Sequence, residues 1–367
     1  TKGVVTSTDL LKFRGREVLS LIRTIDMSGS FAELDGARRD VEQVLRTLMA
    51  DGALASHACR IVSELNDRIT GRAISLVEEQ IGPAPAPYAW LGLGSEGRKE
   101  QTLLTDKDNA LVFDEFLYAR PVDGAEAYFR LFADRVVHGL NDCGFPLCKG
   151  NIMATNPRYF GNIAQWKEKT VRWIRTDAAE GKDILDVYTF LDFRSVYGSA
   201  VLVQNLRAHV AEAMKENPVC LRALADPIVS VPMPLGFFKN VIVEKNGKYK
   251  NMVNIKTHGL LPLTTTVKLL AFHGDVRETN TLERLRGLAK TGMIEEDLAE
   301  EAEQAFETFL TLKIRNNLNS LDEGRDFSNN INPSVLTAKQ KQLLKEAFLA
   351  VSRLQKATKD RLKVAGY

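Results

Sequence analysis

Three alternate prolines divide the chain into regions with different sequence patterns. A helix cannot continue through Pro83, Pro85 and Pro87, so any helix that precedes them must end there. Residues 9–81 contain no proline and carry apolar residues every three or four positions, which is the pattern of amphipathic helices. We therefore predict an antiparallel helical hairpin or small bundle over residues 12–82. The apolar stripe of its first long helix consists of Phe31, Leu34, Ala37, Val41, Val44, Leu45 and Leu48.

After the prolines, short apolar segments alternate with helical patterns up to about residue 200. Such alternation is typical of a sheet packed against helices, so we predict a mixed-sheet domain over residues 83–200. Its predicted strands are 88–93, 109–113, 151–154 and 188–193, and its predicted helices are 125–143, 166–176 and 182–187.

Helical patterns dominate the remainder, which we predict to be a mainly helical domain over residues 201–367. One β-hairpin is expected within it, because Asn246-Gly247 is a strong two-residue turn signal between the apolar segments 237–244 and 248–253. The fold class predicted for the whole chain is α+β. The predicted C-terminal helices are 264–273, 279–290, 295–319 and 337–363.

A Gly-Ser turn and two aspartates connect the first two predicted strands. Gly94 and Ser95 follow the first strand, and Asp106 and Asp108 lead into the second. Because side chains alternate along a strand, the two aspartates are expected to point the same way. Two carboxylates on one face repel each other unless a cation lies between them, and Mg²⁺ or Mn²⁺ prefers such oxygen ligands. This spacing predicts a metal-dependent phosphate-transfer site.

Nucleotidyl transfer requires the chemistry that this segment could provide. Two metal ions held by shared carboxylates stabilise charge on the attacking and leaving oxygens. A turn that runs into a helix offers unpaired N–H groups to the triphosphate, and Gly94 lets a phosphate approach closely. The Ser95 hydroxyl could donate a further hydrogen bond, and Arg98 could clamp a phosphate or fix a carboxylate.

Each of these residues also has a structural interpretation. Asp106 and Asp108 could belong to a solvated turn, where aspartate is common. Arg98 could form a surface or structural ion pair. Glu100 and Gln101 could orient Arg98 or lie in solvent.

The motif resembles that of a known family. Gly-Ser-x-Gly-Arg-x-Glu-Gln-x-x-x-Thr-Asp-x-Asp-Asn-Ala, beginning at Gly94, is similar to the sequence of the DUF294 nucleotidyltransferases, relatives of protein-PII uridylyltransferase in the polymerase-β-like superfamily. The resemblance covers most of residues 30–360 and includes the family's C-terminal helical domain. It continues through 148–156, Leu191-Asp192-Phe193-Arg194-Ser195-Val196-Tyr197-Gly198, Leu235-Gly236-Phe237-Phe238, Gly259-Leu260-Leu261-Pro262-Leu263 and Asn280-Thr281-Leu282-Glu283-Arg284-Leu285.

The resemblance implies a third metal-binding carboxylate on a neighbouring strand. Asp192 is the candidate, because it ends an apolar run within the matched segment, and it would complete the metal set with Asp106 and Asp108. The alternative is a structural pair between Asp192 and Arg194, or a helical setting for both. Arg284 is interpreted as a residue that decorates a helix.

The family resemblance also implies neighbouring regulatory domains. Residues 1–11 resemble the end of a CBS domain, and in this family the nucleotidyltransferase region often follows CBS and cyclic-nucleotide-binding domains. The expected activity is transfer of a nucleoside monophosphate from a nucleoside triphosphate to an acceptor. By analogy with PII uridylylation, the acceptor is expected to be a protein in a signal-transduction context. The alternatives are a nucleotide-sensing interaction module with little catalysis and a nucleotidyltransferase that acts on nucleic acid.

Composition limits which partners and which cellular location are expected for the protein. The 367 residues are 44% hydrophobic with a formal charge of +2, and such a balance does not favour a nucleic-acid partner. No apolar run reaches the roughly 20 residues that a membrane helix needs, and no signal-peptide pattern begins the sequence. Four scattered cysteines fit reduced thiols, so a cytoplasmic location without membrane contact is expected.

Overall fold

Three long helices form the N-terminal part of the protein. The structure is a computed structural model that describes residues 7–103, 107–114, 116–117, 120–121, 123–177, 184–236 and 240–364. The helices are α1 (Ser7–Met27), α2 (Phe31–Ala50) and α3 (Ala55–Ile81), and they pack against one another. The predicted stripe on α2 is buried at Leu34, Ala37, Val41 and Leu45, which confirms the helical interpretation. Of the CBS-like residues 1–11, residues 1–6 lie outside the described part of the chain and residues 7–11 belong to α1.

The centre of the protein is a four-stranded mixed sheet. Its strands are β1 (Tyr88–Gly92), β2 (Asn109–Phe113), β5 (Phe160–Asn162) and β6 (Arg194–Gly198), in the order β5-β2-β1-β6. The β1 strand is antiparallel to β2 and β6, whereas β2 is parallel to β5. Both β1 and β2 are buried along their whole length, so their two faces are covered.

Aromatic side chains hold α5 (Ala125–Asp142) against this sheet. The Phe132 ring lies 5.1 Å from the ring of Tyr88, and Phe129 stacks on Phe113 at 4.7 Å. The sheet is further covered by α6 (Ile163–Arg172) and α8 (Ala200–Glu216). A two-stranded ladder of β3 (Phe116–Leu117) and β4 (Arg120–Pro121) lies outside the main sheet.

Two of the predicted strands are wrong. Residues 151–154 form no strand, although the Asn109 amide donates to the Ile152 carbonyl at 3.1 Å, and the strand beside β2 is β5 instead. Residues 188–190 belong to the helix α7 (Ile184–Phe190). Its Phe190 stacks on Trp166 with 5.0 Å between the rings. A short apolar run fits a buried strand and a buried helix equally well, so the pattern could not separate them.

The C-terminal part is helical. It contains α9 (Pro218–Val229), α10 (Leu261–His273), α11 (Thr281–Lys290), α12 (Glu296–Asp322) and α13 (Ala338–Leu362). The predicted helices are thus confirmed, and the fold class is α+β. None of the described helices is long and apolar enough to cross a membrane.

The predicted hairpin is replaced by an irregular reversal. The Glu244 amide donates to the Met252 carbonyl at 2.9 Å, and the Asn251 amide donates to the Glu244 carbonyl at 2.8 Å, yet no regular ladder forms over residues 240–252. The β7 strand (Val253–Asn254) pairs instead with β8 (Asn330–Ile331). Most of the reversal is exposed, so little apolar burial is available there to stabilise a two-stranded ladder.

The four cysteines are buried and none forms a disulfide. Burial raises the pKa of the Cys59 thiol to about 12, so this thiol stays protonated at neutral pH.

Candidate functional site

The Gly-Ser turn lies directly beside Asp108. After β1, residues Gly94–Gly97 form a single helical turn, α4, which Gly94 enters with a φ of +53°. The Leu93 amide donates to the Asp108 carbonyl at 2.9 Å, which ties the two ends of the motif together. A Cβ on Gly94 would lie 3.3 Å from an Asp108 carboxylate oxygen and 3.3 Å from the Thr189 methyl group. A side chain at Gly94 would crowd both groups, so glycine lets the Asp108 carboxylate lie close to the turn.

Lys107 anchors the segment that carries the aspartates. Its ammonium is buried and lies 2.6 Å from the Glu96 carboxylate, while its neighbour Asp108 is half-buried. This contact joins the aspartate segment to the α4 turn, because Glu96 lies between Ser95 and Gly97. The position of Asp106 lies outside the described residues, so its predicted place beside Asp108 stays a prediction.

Glu96 is held in a nearly closed environment. Only one of its carboxylate oxygens meets Lys107, and no hydrogen-bond donor reaches the other within the described residues. Burial raises the pKa of Glu96, and the charge of Lys107 opposes that rise. The Arg194 guanidinium donates to the Glu96 carbonyl at 3.0 Å and pairs with Asp67 at 2.8 Å.

Replacing Lys107 by methionine should make stability depend more steeply on pH. Without the ammonium, the pKa of Glu96 would rise further. The folded protein would then bind the proton more tightly than the unfolded chain, and the resulting stabilisation is complete at a pH below the ordinary carboxyl pKa of 4.5. That contribution is lost as pH rises through the folded-state pKa, so the free energy of unfolding should fall more steeply than in the wild type as pH rises above 4.5. Urea unfolding at several pH values measures this.

The double variant Glu96→Gln/Lys107→Met is the matched control for this experiment. It removes the titrating carboxyl as well as its partner, so its stability should have a shallower pH dependence than that of Lys107→Met. Equal pH dependence in the single and double variants would contradict the assignment of the effect to Glu96.

Arg98 forms the structural ion pairs that were the alternative to phosphate binding. Its guanidinium lies 2.6 Å from Glu100 and 2.6 Å from Asp192, and its side chain is only 14% exposed. Glu100 also accepts a hydrogen bond from the Thr281 amide at 2.8 Å, and the Asn280 side chain donates to the Arg98 carbonyl at 3.0 Å. The start of α11 therefore fixes the loop that follows the Gly-Ser turn. In this arrangement Arg98 supports the turn, and we do not assign it to the phosphates.

Asp192 is the centre of a buried charge cluster. Its carboxylate is fully buried in the turn between α7 and β6, and Arg98, Lys268 and Arg284 each lie 2.6 Å from it. Burial alone would raise its pKa, but the charges of Lys268, Arg284 and Arg98 outweigh burial and lower the pKa well below the ordinary range. Three cations already surround the two oxygens, so a divalent ion would be repelled there.

The predicted metal role of Asp192 does not fit this geometry, and we do not carry Asp192 into the proposed metal site. The proposed pair with Arg194 is also wrong, because Arg194 contacts Asp67 instead. Among the described residues, no three His, Cys, Asp or Glu side chains converge as metal ligands. Asp108 is the described carboxylate that faces the Gly-Ser turn.

Sequence reasoning missed two members of the charge cluster. Arg284 is 2% exposed and reaches Asp192, whereas the neighbouring Arg286 is on the surface and pairs with Glu303 at 3.0 Å. The interpretation of Arg284 as a residue that only decorates a helix is therefore wrong. Lys268 could have been found from the sequence, because it is a lone charged residue in the apolar helix α10. Lysine is rarely buried unless it is paired, so this position indicates a buried lysine with a carboxylate partner, which is Asp192.

Two family models match the chain. Residues 39–180 match a family model described as "Putative nucleotidyltransferase DUF294", and these residues include the Gly-Ser turn and Asp108. Residues 218–362 match a second model, described as "Putative nucleotidyltransferase substrate binding domain". No curated protein matches the chain. With both models matched in order across most of its length, the chain belongs to the DUF294 nucleotidyltransferase family.

Proposed function

We propose that the protein transfers a nucleoside monophosphate from a nucleoside triphosphate to an acceptor, with a divalent cation, Mg²⁺ or Mn²⁺, held by Asp106 and Asp108. The observation that carries this proposal is the close approach of the Asp108 carboxylate to Gly94, where an added Cβ would lie only 3.3 Å from a carboxylate oxygen. A phosphate that rests on the Gly-Ser turn would therefore lie beside the carboxylate that holds its counterion.

The residues of the turn have distinct roles in this proposal. Gly97 is the first residue of α4 whose amide donates back along the chain, to Leu93, so the amides of Gly94, Ser95 and Glu96 precede the intrahelical hydrogen bonds. These amides and the Ser95 hydroxyl would bind phosphate oxygens. The buried Glu96–Lys107 pair keeps the turn and the aspartate segment in register. The cation would neutralise phosphate charge and orient the reacting groups.

The acceptor is proposed to be a protein, and the context signal transduction. Support for both comes from the resemblance to protein-PII uridylyltransferase and from the CBS-like residues 1–11, and it is an analogy between families. The mainly helical region that matches the substrate-binding model is proposed to contact this acceptor.

Asp108→Asn tests the site directly. The chain is incubated with Mg²⁺, a panel of labelled nucleoside triphosphates and a native lysate, and label transfer and pyrophosphate release are measured. Loss of a carboxylate that holds the cation should reduce transfer at least about a hundredfold, since a metal ion supplies several kcal/mol of charge stabilisation.

Asp114→Asn is the matched control, because Asp114 follows the opposite end of β2, roughly 20 Å away along an extended strand. It should keep full activity. Unchanged transfer in Asp108→Asn would overturn the site assignment. Nucleotide binding without pyrophosphate release in the wild type would replace the proposal by the sensing function.

A further inference from the structure

A cavity of about 390 Å³ lies between α8 and the connection from α10 to α11. It is separate from the Gly94–Asp108 site, neither of whose residues lines it. This volume falls in the range of small-molecule sites in proteins, which are mostly apolar with a few polar groups. Its apolar walls include Leu191, Phe193, Ala211, Ala271, Phe272 and Val276.

Arg207 supplies the charged group of this cavity. Its guanidinium donates to the Phe193 carbonyl at 2.9 Å and to the Arg277 carbonyl, and it lies 5.8 Å from the centre of the Phe193 ring. Within the described part of the chain, no carboxylate lies within ion-pair distance of it. Burial lowers the pKa of Arg207 and the charge of Arg284 adds to that fall, whereas the charges of Asp192 and Glu278 oppose it. Charges withdrawn from water are normally paired in proteins, and the half-buried guanidinium of Arg207 has no carboxylate in direct contact among the described residues.

The neighbouring interior has an excess of positive charge. Arg284 lines the same cavity and shares Asp192 with Arg98 and Lys268. Burial and the two arginine charges lower the pKa of Lys268 to about 8, even though Asp192 opposes that fall. Carboxylates around the cavity mouth, such as Glu278, are exposed to water, and so are the cations there. Water screens the charges at the mouth, so the half-buried Arg207 decides which ligand charge is preferred.

We propose that this cavity binds an organic anion, namely a compact apolar or aromatic body that carries a phosphate or carboxylate. The anionic group pairs with Arg207, and the body packs against Phe193 and Phe272. The Arg284–Asp192–Arg98 contacts connect the cavity wall to the loop that follows the Gly-Ser turn, so the site is placed to influence that loop.

The test uses the full chain and the fluorescent aromatic anion anilinonaphthalene sulfonate. Wild type should bind it at one saturable site, and phenyl phosphate should displace it, whereas benzyl alcohol, which is neutral, should not. Arg207→Met should weaken binding about tenfold or more, since a hydrogen bond to a charged group is lost. Arg222→Met, an exposed arginine on α9, is the matched control and should leave affinity unchanged.

A second variant keeps the proposal testable if Arg207→Met does not fold. Ala211→Phe extends a cavity-lining side chain from α8 into the space and should block binding while Arg207 remains. Equal affinity in wild type and in both variants would overturn the proposal. Equal displacement by benzyl alcohol and phenyl phosphate would also overturn it, because the site would then not select an anion.

Discussion

Replacing Asp192 by asparagine is expected to lower the free energy of unfolding by about 3–5 kcal/mol, the usual cost of removing one partner from a buried ion pair. The carboxylate is fully buried and each of Arg98, Lys268 and Arg284 lies 2.6 Å from it. Asparagine keeps the shape but removes the negative charge, so three cations would remain buried, and Glu100 would be the one carboxylate of the described residues still paired with any of them. Urea unfolding followed by circular dichroism measures the change.

Two further variants isolate the electrostatic cause. Asp192→Asn/Lys268→Met removes one of the stranded cations and should recover part of the lost stability, which a double-mutant cycle detects. Asp360→Asn, at an exposed position of α13, should change stability by less than about 0.5 kcal/mol. If Asp192→Asn is no more destabilising than Asp360→Asn, the charge cluster around Asp192 does not stabilise the folded protein.

The free energy of unfolding at acidic pH tests the role of Asp192 independently. The pKa of Asp192 is depressed in the folded state, so its carboxylate stabilises the protein above the ordinary value of 3.8, and this contribution is lost as pH falls through the folded-state pKa. Asp192→Asn lacks the titrating group and should therefore lose less stability on acidification than the wild type.

Local patterns in the sequence predicted the parts of the protein that depend on local structure. The proline run ended α3 at Ile81, and apolar periodicity located the long helices because each buries a single stripe. The Gly-Ser turn was located correctly because Gly94 adopts a positive φ, which few other residues tolerate. The adjacency of this turn to Asp108 follows from the pairing of Gly92, the last residue of β1, with Asn109, the first residue of β2.

Contacts between distant segments were not predictable in the same way. Asp192 and Arg284 are 92 positions apart, and no periodic pattern links a turn after α7 to a side chain on α11. Asp192 therefore looked like a strand-end metal ligand, whereas tertiary packing placed it among cations. The Asn246-Gly247 turn shows that a local signal alone is not sufficient. Residues 240–252 around it have no buried face, and they form no regular ladder.

Replacing Gly97 by alanine should destabilise the protein by about 3 kcal/mol, at the upper end of the usual cost of overpacking. A Cβ at this position would lie 1.5 Å from the Asp192 carbonyl oxygen, which is backbone and cannot rotate away. Either α4 or the Asp192 turn must move by more than an ångström. Movement of α4 would displace Gly94 and Ser95 from Asp108, so nucleotide affinity should fall together with thermal stability.

Gly36→Ala is the matched control, because the chemical change is identical and its environment is open. Gly36 lies within α2, and a Cβ there would meet nothing within 4 Å. Alanine at this position should stabilise the helix by roughly 0.5–1 kcal/mol, so the two variants should shift the melting temperature in opposite directions. Nucleotide affinity should change in Gly97→Ala alone. A Gly97→Ala protein with wild-type stability and affinity would show that close contact between α4 and the Asp192 turn does not set the position of the Gly-Ser turn.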